Sequence, residues 1–153
     1  MSKASYIGID PGRKGGIAYI YDDGYDSYFM PDTTSGIYKL LSQLADPAPW
    51  TTCIIEQVQV MGKSFGAKAA LSYGQHYGEI IGILTALEVK VVEARPAIWK
   101  KAMGLTKEKD DSIALCERLF PDVNLLPTQR CTKPSDGMAE AVLLAEYGRR
   151  MNL

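Results

Sequence analysis

Four carboxylates stand where the local pattern of the chain would present an acid to a reactant. Asp10 ends the apolar, β-rich run Ser5-Tyr-Ile-Gly-Ile and is followed by Pro-Gly, so a strand stops there with an acid at its tip. Glu56 ends a second such run, Thr51-Thr-Cys-Ile-Ile. Asp136 and Glu140 open an apolar C-terminal segment. Being four apart on a helix they share a face, where two unpaired acids repel by about a few tenths of a kcal/mol. A divalent metal reverses that penalty. Hard oxygen ligands suit Mg²⁺, and two such ions about 3.5–4 Å apart activate water on one side of a phosphodiester while stabilising the departing oxygen on the other. Three of the acids have an ordinary explanation: Asp10 as a turn-capping residue, Glu56 in a buried salt bridge, Asp136 as a helix N-cap. All of these must hold together to remove the metal site, and the joint reading favours the metal.

Cations are distributed to match. Arg95, Lys100, Lys101, Lys107 and Lys109 fall within one short stretch. The net charge of −1 is poor for a nucleic-acid binder. Two bound divalent ions would add four positive charges, however, and a local basic face matters more than the total. Lys107 and Lys109 fall in the first turn of an expected helix over 107–120, where the macrodipole disfavours cations and Glu108, Asp110 and Asp111 are the suited residues. Lys109 is either a solvated surface lysine or a group that stabilises charge developing on a phosphate. The cysteines Cys53, Cys116 and Cys131 have no Cys-x-x-Cys spacing and a single histidine, His76, to help them, which argues against zinc and against a disulfide framework. Cys53 and Cys116 read as small core residues.

The elements that must position these groups follow from periodicity. Residues 5–10, 16–21 and 25–30 read as an antiparallel meander with a tight Asp-Gly turn before the third strand. Ile37, Leu40, Leu41 and Leu44 predict a helix over 34–45, which leads into a strand over 51–58 as a parallel neighbour. A long helix over 65–87 carries a ladder of Gly66, Ala70, Gly74, Gly78, Gly82 and Ala86. Glycine costs up to about 1 kcal/mol against alanine inside a helix, so close packing on the sheet or another helix is expected of that stripe. A fifth strand over 89–93, a short helix begun by Pro96, a helix over 107–120 capped by Thr106, a loop over 125–134 and a helix over 136–150 complete a single domain of 153 residues. No run of about 18 apolar residues and no basic, apolar leader occurs, so neither membrane span nor signal peptide is expected, and a cytoplasmic address is.

Ile9-Asp10-Pro-Gly12, Ile55-Glu56-Gln-Val58, Gly74-Gln75-His-Tyr-Gly78, Ala94-Arg95-Pro-Ala-Ile-Trp-Lys100 and the Asp136/Glu140 helix resemble the motifs of RuvC-type Holliday-junction resolvases, in the same order and over nearly the whole chain. The ending Ala139-Glu-Ala-Val-Leu-Leu-Ala-Glu-Tyr-Gly-Arg-Arg150 is most similar to the compact, phage-encoded members. The resemblance implies an RNase H-like α/β fold, a mixed five-stranded sheet with helices on both faces. It implies a homodimeric crossover junction endodeoxyribonuclease of DNA recombination and repair that cuts four-way DNA junctions with two Mg²⁺ or Mn²⁺ ions per site. Asp10, Glu56, Asp136 and Glu140 are then the metal ligands and catalytic acids, Lys109 the active-site lysine, and Lys63, Phe65, Lys68, Arg95, Lys100, Lys101 and Lys107 the DNA-binding residues. The closing acids are four apart where the family commonly spaces them by three, and the stretch between Glu56 and Gly74 is longer than in bacterial relatives, so the loop 59–65 has no residue-by-residue match. A nuclease-inactive module that binds branched DNA on the same fold is the alternative. An actin-like ATPase, suggested by Asp10-Pro-Gly-Arg-Lys-Gly-Gly, needs two such domains and more residues.

Overall fold

The computed structural model describes residues 4–22, 24–45, 50–58 and 66–153. Five strands form one mixed sheet: β1 (Ser5–Asp10), β2 (Gly16–Tyr21), β3 (Gly24–Phe29), β4 (Thr51–Glu56) and β5 (Lys90–Ala94), in the order β3-β2-β1-β4-β5. The first three pair antiparallel, while β4 runs parallel to both β1 and β5. The helices are α1 (Thr34–Ala45), α2 (Ala67–Ala86), α3 (Pro96–Ala102), α4 (Lys109–Leu119) and α5 (Asp136–Met151). This is the α/β architecture of the RNase H-like class.

Both faces of the central strands are covered, which is why β1 and β4 read as nearly continuous apolar runs and not as alternating ones. On one face Ile7, Ile9, Ile17, Cys53 and Ile55 meet Ile37, Leu41 and Leu44 of α1 and Ile80 and Leu84 of α2. On the other, Tyr6, Ala18, Ile20 and Ile54 meet Met138 to Ala145 of α5, with Trp99, Cys116 and Phe120 closing the flank. Cys53 and Cys116 are fully buried core residues.

Several local expectations change, among them the strand expected over 51–58, which ends at Glu56. The third strand begins and ends one residue earlier than its apolar pattern indicates, because Met30 leaves the ladder and donates its N–H to the Gly15 carbonyl at 3.1 Å. Helix α4 starts at Lys109, with Glu108 at the cap position. Thr106 stands outside the helix, where its Oγ1 accepts the Glu108 N–H at 3.1 Å, so Lys107 precedes the first turn instead of occupying it. The glycine stripe of α2 does not pack against the described residues: among them, a Cβ built at Gly66, Gly74, Gly78 or Gly82 meets nothing within 4 Å. The core is reached from the opposite side of α2, through His76, Ile80 and Leu84, with Tyr77 and Ile81 packed partly against it. Leu71, on the same outward face as the stripe, is 73% exposed. Among the described residues no helix is long and apolar enough to cross a membrane.

Candidate active site

Asp10 and Glu56 are the last residues of two adjacent parallel strands. Their register pairs Ile9 with Ile55, which sets the two acids side by side, about one strand spacing of 4.8 Å apart at the backbone. This is the carboxyl end of a parallel pair, the edge at which α/β sheets bind ligands. Helix α5 brings the other two acids to the same edge. Ser135, not Asp136, caps that helix: its hydroxyl accepts the Met138 N–H at 3.1 Å, and Asp136 lies inside the first turn, available for another role.

Part of the seat of α5 on the sheet is made of backbone. A Cβ at Gly8 would fall 1.9 Å from the carbonyl oxygen of Ala141, and one at Gly137 would fall 2.4 Å from the carbonyl oxygen of Lys14. No side chain fits at these two positions, so main chain against main chain helps to set the distance from Asp10 to Asp136 and Glu140.

Convergence of the acids appears in their electrostatics. The Asp10 carboxyl is pushed up from 3.8 to about 7, first by burial and then by the charges of Glu140, Glu56 and Asp136, against the opposing pull of its Oδ1 accepting the Gly12 N–H at 3.1 Å. The turn-capping role of Asp10 is therefore real and coexists with its place in the cluster. Glu56 is raised by burial and by Glu140, opposed by a hydrogen bond from Trp99 Nε1 at 2.8 Å and by the Lys100 charge. Tyr73 of α2 is raised by burial and by the charges of Asp10 and Glu56, which places this half-buried phenol beside the acids.

Two lysines reach the cluster. Lys100 Nζ lies 3.0 Å from Glu140 Oε1, which also accepts the buried Ser112 hydroxyl at 3.3 Å. Burial alone would lower Lys100, but the Glu140 hydrogen bond and the charges of Glu140, Glu56 and Asp10 outweigh it and hold the ammonium above its ordinary range. Lys109 Nζ stands 3.6 Å from Asp136 Oδ2 with its side chain 81% exposed. Lys100, expected on the DNA-binding surface, thus lies inside the acid cluster. Lys68, Arg95, Lys101 and Lys107 are exposed, and Lys63 and Phe65 lie outside the described residues. Trp99, Ser112 and Tyr73 had no signal in the sequence that tied them to the acids, since each reads locally as a helix residue.

The donor set fits a hard divalent cation: four carboxylates from three elements, mutually repelling, with one held partly protonated near neutrality. Among the described residues no group of three or more His, Cys, Asp and Glu is arranged to hold an ion as it stands. Glu56 is turned to Trp99 and Glu140 to Lys100, so lysine supplies the counter-charge that an ion would otherwise bring.

No protein-family model and no curated protein matches the chain. Solved structures do. Thermus thermophilus RuvC in complex with a Holliday-junction substrate is similar with a TM-score of 0.66 at 15% identity, over 97% of this chain and 96% of that one. A second Thermus thermophilus RuvC structure gives 0.58 at 13% identity, over 97% and 96%. The yeast mitochondrial Holliday-junction resolvase Ydc2 gives 0.54 at 13% identity, over 97% and 79%. The fold is that of the RuvC-type resolvases.

Proposed function

We propose that this protein is a metal-dependent, structure-selective endonuclease that resolves four-way DNA junctions by paired symmetric nicks. The observation that carries the reading is the meeting of Asp10, Glu56, Asp136 and Glu140 with Lys100 and Lys109 at the carboxyl edge of the sheet. Support comes from the shared fold with a RuvC captured on a Holliday junction.

Asp10, Glu56, Asp136 and Glu140 would hold two Mg²⁺ or Mn²⁺ ions, which supply a water nucleophile and charge stabilisation at the scissile phosphate. The chain's own residues do the rest. Lys100, held 3.0 Å from Glu140, keeps an ammonium within the cluster, where it would meet a phosphate oxygen. Lys109, exposed beside Asp136, approaches the phosphate from the solvent side. Arg95, Lys101 and Lys107 give the surrounding surface positive charge for the DNA arms, with Lys68 on α2 and Lys63 and Phe65 before it as further contacts.

Resolution needs two cuts in opposed strands, and one chain carries one acid cluster. A two-fold homodimer provides both from a repeated patch. The outward stripe of Gly74, Gly78 and Gly82 with exposed Leu71 supports α2 as the contact, because helices without side chains between them approach closely. The alternative, a junction-binding module without nuclease activity, draws on the Lys100–Glu140 ion pair, which satisfies an acid without metal. A nicking assay on synthetic four-way, three-way and linear DNA with Mg²⁺ or Mn²⁺ decides between them. Glu56→Gln and Asp10→Asn are expected to abolish cleavage while leaving junction affinity intact, since each removes a ligand charge and spares the basic surface. Wild-type cleavage in either variant at saturating Mg²⁺ refutes the assignment.

A further inference from the structure

Trp99 is 0% exposed, on a helix of seven residues, and its indole touches two charged groups of the cluster in two different ways. Its Nε1–H donates to Glu56 Oε2 at 2.8 Å, and the ammonium of Lys100 stands 5.5 Å from the ring centroid. The edge of the ring fixes a carboxylate, and its face attracts the cation that neutralises a neighbouring carboxylate.

We propose that Trp99 is a positioning residue that sets the orientation of the Glu56 carboxylate for metal binding; this rests on the metal-site reading above. A glutamate at a strand end has three side-chain torsions to fix, and a single charge-assisted hydrogen bond to one oxygen selects among them. With Oε2 held by the indole, Oε1 is the oxygen that would serve a cation. The indole can hold this geometry because it cannot itself move: it is packed in the α5-side core together with Met103 and Cys116. Outer partners of metal ligands act in this way, and their loss costs about 10–100-fold in metal affinity.

The test uses Mn²⁺ alone, without DNA, followed by calorimetry and by the electron-spin signal of the free ion. Trp99→Phe keeps the ring face over which Lys100 lies and removes only the N–H. Half-saturation by Mn²⁺ is expected to need about 10–100 times more metal in this variant. The same substitution placed on Glu56→Gln should add little, because the residue it acts through is already altered. Mn²⁺ affinity unchanged in Trp99→Phe, with wild-type binding intact, overturns the proposal. Failure of the wild-type protein to bind Mn²⁺ at all overturns the metal-site reading instead. If Trp99→Phe does not fold, the indole N–H resonance of Trp99 carries the decision, observed in a Trp50→Phe background so that a single tryptophan remains. That resonance should move on adding Mg²⁺ and should not move in Glu56→Gln; an unmoved resonance in protein that binds Mg²⁺ refutes the coupling.

Discussion

Replacing Asp10 by asparagine should make the metal-free protein more stable, even as it removes the chemistry. The Asp10 carboxyl titrates at about 7 in the folded chain against 3.8 ordinarily. The folded state therefore binds that proton more tightly than the unfolded one. Above pH 7 both states are ionised and folding bears the whole cost of the buried charge; between about 4 and 7 the cost fades as the folded carboxyl takes up its proton; below about 4 it is gone. Stability thus falls as pH rises through this window, opposite to the usual behaviour of a paired carboxylate. A rise of about three units corresponds to about 4 kcal/mol at most, and the solvent access that remains at Asp10 reduces this to about 2. Asparagine keeps an oxygen for the Gly12 N–H and carries no charge. In a chain of this size the gain corresponds to a Tm about 4–8 °C higher for Asp10→Asn at pH 8 in EDTA. The difference should vanish by pH 4 and should shrink when Mg²⁺ is added, because only the wild-type site gains from the ion. Thermal unfolding followed by circular dichroism measures all three. An Asp10→Asn protein no more stable than wild type at pH 8 without metal refutes the account of crowded, dehydrated acids.

Lys109→Ala should slow single-turnover cleavage of pre-bound junction while leaving the dissociation constant nearly unchanged, and an unaltered rate returns Lys109 to an ordinary solvated lysine. Gly8→Ala should destabilise the fold by about 3 kcal/mol or more in chemical denaturation, since its Cβ has no room against the Ala141 carbonyl. Gly78→Leu should act in two opposed directions. It raises the chain's own stability by about 0.8 kcal/mol through helix propensity and converts a dimer into a monomer by light scattering, whereas a dimer that survives it places the interface elsewhere.

How much of this the sequence carried depends on the range of the interaction. The strands and helices were legible because their patterns are local: the apolar runs ending in Asp10 and Glu56 and the spacing of Ile37, Leu41 and Leu44 survive in any context. The gathering of the acids was legible from their positions at element ends, although nothing local said that Ser135 would take the cap and leave Asp136 inside the first turn. Trp99 and Ser112 were not legible. Each reaches an acid 43 or 28 residues away in the chain, and such a contact is written in the tertiary fold alone. The expectation that the glycine stripe packs on the sheet fails for a related reason: periodicity identifies the faces of a helix but not which of them meets the sheet, and His76, Ile80 and Leu84 claimed the opposite side.

The main-chain contacts at Gly8 and Gly137 separate two kinds of tolerance to substitution. Where helices rest on sheets through side chains, each exchange of an isoleucine for a leucine shifts the helix by a fraction of an ångström, and an active centre divided between them drifts with it. Here the helix that carries Asp136 and Glu140 also meets the sheet through peptide groups at Gly8 and Gly137, beside its side-chain contacts with Tyr6, Ile20 and Ile54. The spacing of the acids is thereby hostage to a few positions that must remain without a methyl group, more than to the exchange of one apolar core side chain for another. A library randomised through the core of this protein should accordingly yield many folded, metal-competent variants, and one that admits alanine at Gly8 or Gly137 very few.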